Sequence, residues 1–378
     1  MNPFSPPVPA GVKYSVLDFD LHGIAGKLLF TIIAVVVTFA LYANFIHKDP
    51  EPVVKKRDPN LPEPSEIVSL RIYPIKSCRG MQFDKARLLR SGLHLDRNWM
   101  FVDAEKMEFL TIRTDATMTL IDTAFDSKQT ELTISVHGTD DSVTVATQPS
   151  KEWLEANCTH ERVTIWGKET DAYSYGDEIN KIFNGHFKKP VKLVYKGPEP
   201  RPATGSASAT LYGKEVPHMF ADLMSIQIAS EASLADLNAH LKESDSPIDE
   251  LTIERFRPNI VIKGNLPWEE DRWKTVQIVT IDHAREQLRR VNLDVVCRCA
   301  RCHVPNVDPD TAEQHTREPW TTLMKFRRVD EGGQAKYKPC FGMLCLPLGD
   351  CDIMVGSTLE VLEVTDKHLY GTAKFEDL

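Results

Sequence analysis

Several of the common signatures of catalysis are missing from this 378-residue chain. It has no G-x-x-x-x-G-K-[ST], no G-x-G-x-x-G, no H-E-x-x-H and no G-x-S-x-G. A P-loop, a dinucleotide-binding turn, a zincin helix and a nucleophile elbow therefore have no sequence support. Positive charge is also scarce: 45 Lys and Arg stand against 54 Asp and Glu, a net charge of -9. That balance argues against a general nucleic-acid binder. The twelve histidines show no pairwise metal spacing, and no internal repeat stands out. Eight cysteines in this length do not make a small disulfide scaffold, and clustered thiols suit a reducing compartment.

What is present is concentrated near the carboxyl end. Cys297, Cys299 and Cys302 lie within six positions, directly before His303, and the proline-punctuated acidic loop Asp308, Pro309, Asp310 follows. Three readings compete. A strand could place Val295, Cys297 and Cys299 on one face as small core residues. The Cys299-x-x-Cys302 spacing also fits a zinc or iron–sulfur knuckle, although the other clustered thiols, Cys340, Cys345 and Cys351, form no second C-x-x-C. In the third reading a single thiolate binds a metal otherwise held by a cofactor. His303 reads as structural rather than as a ligand.

Residues 1–27 form a tail in which Asp18 and Asp20 argue against a transit peptide. Residues 28–46, LLFTIIAVVVTFALYANFI, are almost continuously apolar, and at about 1.5 Å per residue they nearly match a hydrocarbon core of roughly 30 Å. They read as a single-pass membrane anchor. Lys48, Lys55, Lys56 and Arg57 after it outweigh Lys13 and Lys27 before it, which puts the remainder on the cytosolic side. The proline-rich stretch 47–65 reads as a stiff spacer. Beyond it the chain is α+β and mostly β. Val68, Leu70 and Ile72 alternate with Ser69, Arg71 and Tyr73, and further strand patterns start at Glu131, Ser142 and Val163. Helices are expected over Asp177 to Phe187, after the N-cap Ser230 with Leu234, Leu237 and Leu241 inward, and after Pro319 at a first helical position. The breaker-rich stretch from Pro198 to Pro217 reads as a crossover.

Lys76 and Arg97 pair a point charge with a planar fork, a combination suited to a phosphate or an anionic heterocycle, and Ser77 adds a hydroxyl beside them. On spacing alone they fit polar strand ends equally well. Arg257 and Asn259, just before an apolar strand, are likewise open to a surface ion-pair reading.

The segment RCARCHVPNVDPDTAEQHTREPWTTL resembles the cysteine loop of MOSC-domain proteins, specifically the mitochondrial amidoxime-reducing component (mARC) family. VDPDT is kept at Val307 to Thr311, while Ala312 stands where the family carries glycine. YPIKSCRG, DRNWM, SEASLADLN and FRPNIV are similar to further motifs of that family, and the resemblance runs from about Ile67 to the end. Thr111, Ile112 and Arg113 match a near-cofactor segment more loosely. The resemblance implies a β-rich MOSC N-terminal lobe over 66–198 and a β-barrel-like MOSC lobe over 199–378 with peripheral helices. It implies a molybdenum cofactor (Mo-molybdopterin) contacted by Lys76, Ser77, Arg97, Arg257 and Asn259, with Cys302 as catalytic residue and molybdenum ligand. Cys297 and Cys299 would be its neighbours. The implied reaction is two-electron reduction of N-hydroxylated substrates of the amidoxime or hydroxylamine type.

Lacking G-x-G-x-x-G, the chain shows no nicotinamide site of its own. The resemblance implies cytochrome b5 and NADH-cytochrome b5 reductase as electron donors, at the outer mitochondrial membrane or alternatively the endoplasmic reticulum. Two alternatives stay open: a molybdenum-cofactor carrier or sulfur-transfer MOSC protein, and a non-catalytic zinc or iron–sulfur protein.

Overall fold

The computed structural model describes residues 31–35, 37–38, 58–244, 246, 248, 250–282, 285–330 and 336–369. The chain divides into two units, Met1–Asp58 and Pro59–Leu378. In the first, residues 31–35 and 37–38 are helical. There the Thr38 hydroxyl donates to the Ala34 carbonyl (2.7 Å), the back-bond that satisfies a hydroxyl within a helix. The rest of the expected anchor over 28–46 lies outside the described residues. Among the described residues, no helix is long and apolar enough to cross a membrane.

In the second unit, seven strands are numbered here in chain order: β1 (Ser65–Ile72), β2 (Ile226–Ser230), β3 (Ile260–Ile262), β4 (Trp273–Asp282), β5 (Gln287–Ala300), β6 (Cys340–Pro347) and β7 (Thr358–Val364). They pair in the order β3-β2-β6-β5-β4-β7-β1, and β1 pairs again with β3, closing a barrel. Only β2–β3 is parallel; the other pairs are antiparallel. Closure leaves no unpaired edge among these strands. Branched side chains dominate the core, with Ile67, Leu70, Ile226, Ile228, Ile260, Val276, Ile278 and Leu293 fully buried. β1 comes from the 66–198 segment, so the two expected lobes share one barrel.

Two expected alternations fail, for one physical reason. In β1 the register shifts between Ile67 and Ser69, so Ile67 and Leu70 are both buried while Val68 is half-buried. In β5 it shifts between Val295 and Cys297. Val295 therefore joins the barrel core, whereas Cys297 packs with Ala203, Ala207, Val216 and Leu346. A β-bulge adds one residue and reverses the facing of everything beyond it. Val295 and Cys297 thus do not share the face that strict alternation assigns them.

The preceding segment builds a four-stranded antiparallel sheet in the order Trp99–Asp103, Val191–Lys196, Lys168–Ser174, Thr159–Ile165, and a three-stranded meander through Ile121–Phe125, Glu131–Val136 and Ser142–Ala146. The helix Asp177–Phe187 occupies the expected span and packs Phe183 and Phe187 edge-on to Phe101 at 4.8 and 5.3 Å. The helix Glu231–Glu243 starts at Ser230, whose hydroxyl accepts from the Ser233 N–H, and it buries Leu237 and Leu241. Such a cap is worth about 1 kcal/mol. Pro319 stands one position earlier than expected, as the N-cap of the helix Trp320–Phe326.

Candidate functional site

The site begins where three non-glycine residues adopt left-handed backbone: Ser77 (φ 70°), Arg97 (φ 53°) and Arg257 (φ 57°). Such conformations cost free energy and persist only where surrounding contacts enforce them. Here the enforcing contacts are backbone hydrogen bonds between two crossing segments: Lys76 N–H donates to Trp99 O (2.8 Å) and Arg97 N–H to Tyr73 O (2.8 Å). Arg257 follows the 3₁₀ turn Ile253–Phe256 and donates its N–H to Glu254 O. These turns bring Lys76, Ser77, Arg97, Arg257, Asn259 and Cys302 onto the wall of one cavity of about 430 Å³. Thr111, Ile112 and Arg113 line it as well.

The wall is strongly basic. Lys76, Arg97, Arg113, Arg257, Arg301 and Lys338 face it, against the single carboxylate of Asp222. Burial lowers the Lys76 ammonium to about 8 in spite of its ion pair with Asp222. Burial also pushes the Asp222 carboxyl upward, but Lys76 and Arg113, with hydrogen bonds from Lys76 and Trp166, outweigh it and hold the group ionised. Arg257 is lowered to about 10, first by burial and then by the like charge of Arg97. Its Nη2 is buried with no hydrogen-bond partner among the described residues. Asn259 plays a different part. Its Oδ1 accepts from Gln227 N–H (3.2 Å) and its Nδ2 donates to Arg71 O (3.3 Å), so both side-chain functions are engaged in tying the segment entering β3 to β1 and β2.

The three clustered thiols have three different environments. Cys297 lies in apolar packing, and burial raises its thiol to about 12. Cys299 lines the cavity but accepts a hydrogen bond from Arg301 Nη1 (3.0 Å), and burial raises it too. Cys302 lines the cavity half-exposed, in hydrogen-bonding contact with Arg113. Among the described residues, no three His, Cys, Asp or Glu side chains converge to hold a metal. A thiolate cage therefore has no ligand set here, whereas a metal brought by a cofactor needs only one thiol. The run Cys299-Ala-Arg-Cys302-His303 also has the C-x-x-C-H spacing of c-type haem attachment. His303 is not among the cavity's lining residues; it packs on Trp320 with ring centroids 4.5 Å apart.

The acidic loop after Cys302 is clamped by two arginines from the other motifs. Arg79 donates to Asp310 Oδ1 (2.7 Å) and Pro309 O (2.6 Å), and Arg255 pairs with Asp308 (2.5 Å). Asp308 Oδ1 in turn accepts from Asp310 and Thr311 N–H, closing an Asx turn. Ala312 ends the loop at φ 59°, which explains why a glycine suits that position.

Sequence reasoning missed Asp222, Arg301 and Trp166. Asp222 lies just beyond the crossover and carries no local pattern that sets it apart. The crossover itself pairs Arg201–Pro202 with Pro217–His218, and buried Arg201 donates to Ala221 O (2.7 Å) directly before Asp222.

Two family domains match the chain: the MOSC N-terminal beta barrel domain over residues 65–190 and the MOSC domain over residues 215–360. It is a MOSC-domain protein. Mitochondrial amidoxime-reducing component 1 of Homo sapiens is 30% identical over 303 residues, covering 78% of this chain and 82% of that protein. Mitochondrial amidoxime reducing component 2 of Bos taurus is 29% identical over 284 residues, covering 73% and 77%. The molybdenum cofactor sulfurase of Arabidopsis thaliana is 30% identical over 319 residues, covering 77% of this chain and 35% of that protein. The chain belongs to the mitochondrial amidoxime-reducing component family.

These relatives are molybdenum-cofactor proteins. The cavity suits such a group: its cationic wall, the unpartnered Arg257 Nη2 and a half-exposed thiol match an anionic pterin that presents a metal to sulfur.

Proposed function

We propose that the chain is a membrane-anchored, molybdenum-cofactor-dependent reductase of N-hydroxylated substrates. The observation that carries the reading is the shared cavity: six residues drawn from four separate motifs line one basic space with Cys302 on its wall. When bound, the cofactor would supply a metal able to exchange two electrons with an N–OH group. The chain's own residues bind and orient. Cys302 would be the protein ligand. Lys76, Ser77, Arg97 and Arg257 would bind the anionic parts, and Asn259 would act by holding the wall in register. Ile112, Phe256, Leu223, Met224, Leu344 and Val304 give the cavity its apolar share.

Electrons are proposed to come from cytochrome b5 and NADH-cytochrome b5 reductase. A membrane anchor at 28–46 would confine the chain to a surface where an anchored partner is locally concentrated. The mitochondrial relatives favour the outer mitochondrial membrane, with the catalytic part cytosolic. Protease added to intact organelles should then release a fragment starting in the proline-rich spacer; full protection would reverse the topology.

The purified chain should reduce a benzamidoxime-type substrate with NADH only when both partners are supplied. Because electron-transfer encounters are small and electrostatically steered, turnover should fall as salt rises. Steady turnover with NADH and the chain alone would refute the partner requirement. Bound molybdenum and pterin without turnover of any N-hydroxylated compound would favour a carrier or sulfur-transfer role. That second reading is supported by the sulfurase relatives, of which this chain spans about a third.

A further inference from the structure

Tyr73 opens the YPIKSCRG motif, is not among the cavity's lining residues and has no part in the reading above. Its ring nevertheless carries both arginines of the anion-binding wall: Arg97 Cζ lies 4.6 Å and Arg257 Cζ 4.3 Å from the ring centroid. Its backbone engages the same group. Tyr73 N–H donates to Asp96 Oδ1 (2.8 Å), Asp96 pairs with Arg97, and Tyr73 O accepts the Arg97 N–H (2.8 Å). Arg97 Nη2 reaches Arg257 O at 3.4 Å. Gly80, at the other end of the motif, leaves the ring its place: a Cβ there would sit 2.4 Å from Tyr73 Cδ1 and Cε1. The ring's hydroxyl is buried without a hydrogen-bond partner among the described residues, so the phenol is not there for its oxygen.

We propose that Tyr73 is a positioning residue: its ring is the platform against which two like-charged guanidiniums, Arg97 and Arg257, both pack where they line the anion-binding cavity. Two buried cations repel, and the negative face of an aromatic ring offsets that repulsion without neutralising either one. Asp96 already pairs with Arg97, and a second carboxylate in the ring's place would pair with Arg257 as well and withdraw it from the ligand. Gly80 is the second part of the device, since any side chain there displaces the ring.

The inference rests on the functional reading above, and the test separates the two. Full-length wild type, Tyr73→Phe, Tyr73→Leu, Arg257→Met and the Leu/Met double variant are compared for molybdopterin retained per chain under increasing sodium chloride. Tyr73→Phe should match wild type within about twofold, and Tyr73→Leu should lose about tenfold, the scale of a desolvated cation–π contact. The double variant should lose less than the product of the two single losses, because Tyr73 acts in part through Arg257. A second arm uses inorganic phosphate and the cofactor-free chain: phosphate should raise the melting temperature of wild type and Tyr73→Phe but not of Tyr73→Leu or Arg257→Met. If Tyr73→Leu does not fold, Gly80→Ala takes its place in both arms. Equal losses in Tyr73→Phe and Tyr73→Leu, additive losses in the double variant, or the same phosphate response in every variant would overturn the proposal. A wild-type chain purified without pterin would defeat the functional reading instead, and the phosphate arm would still decide the role of Tyr73.

Discussion

The barrel and the cavity beside it share parts of β2, β5 and β6 but are built by opposite means. In the barrel, branched apolar residues follow the pleat, neighbours pair in register, and seven strands close on themselves. At the cavity the regularity stops: Ser77, Arg97 and Arg257 take left-handed backbone, and six cations face one carboxylate. The comparison teaches that the barrel strands satisfy one another, while the cavity wall gathers more positive than negative charge, which an anionic ligand would balance. β5 passes from one regime to the other within a few residues, so that Val295 belongs to the barrel core and Cys302 to the cavity.

The sharpest division is therefore expected among the clustered cysteines. Cys302→Ala should abolish reductase activity and leave the melting temperature near wild type. Cys297→Ala should do the reverse, costing about 1 kcal/mol of stability with substantial activity kept. Cys299→Ala should also retain activity. Equal loss in all three variants, with zinc or iron in the purified protein, would erase the distinction between the two regions.

Next in size is Arg257→Ala, which removes the buried cation with the free Nη2. Pterin retention in dialysis should fall by about tenfold or more, on the scale of a charge-assisted hydrogen bond. In the cofactor-free chain the same change should stabilise, because it relieves repulsion from Arg97. Loss of stability in the cofactor-free chain would show that the wall carries no unbalanced charge.

The two regions should also answer pH in opposite senses. Glu270, buried beside the barrel and hydrogen-bonded by Ser233 (2.6 Å), is raised by burial to about 7. The folded state binds its proton more tightly than the unfolded state, so its contribution is largest below about pH 4.5 and lost toward pH 7. Lys76 in the cavity is lowered by burial to about 8. The unfolded state binds that proton more tightly, so the penalty is present below pH 8 and relieved as pH rises toward 10.5. Each effect is on the order of 3 kcal/mol. Denaturant titrations of the cofactor-free chain should show the low-pH slope flattened by Glu270→Gln and the high-pH slope flattened by Lys76→Met. Unchanged slopes would contradict these assignments.

The smallest expected effect is at the loop. Ala312→Gly relieves a left-handed alanine at some entropic cost and should stabilise by at most about 1 kcal/mol in urea unfolding. Destabilisation would mean that the loop does not hold this turn in solution.

Much of the candidate site was legible because its residues sit in short contiguous motifs. Lys76, Ser77, Arg97, Arg257 and Cys302, from four separate motifs, all line one cavity. The helix Asp177–Phe187 was legible from its apolar spacing and the cap at Ser230 from its residue type. The facing of Val68 and Cys297 was not, because a bulge is a one-residue event with no compositional mark. Asp222 was invisible for another reason. A lone carboxylate just beyond a breaker-rich crossover looks like any solvated loop acid until folding brings Lys76, Arg113 and Trp166 to it. Asn259 was legible as a wall residue, but its engagement with backbone on both sides was not.

The central claim is that Cys302 presents its sulfur to molybdenum in this cavity, and X-ray absorption at the molybdenum edge of the purified full-length chain tests it most directly. The account predicts bound molybdenum with a protein sulfur ligand that is lost in Cys302→Ser and kept in Cys299→Ser. Molybdenum with the same sulfur shell in both variants, or a wild-type chain with no molybdenum, would contradict it.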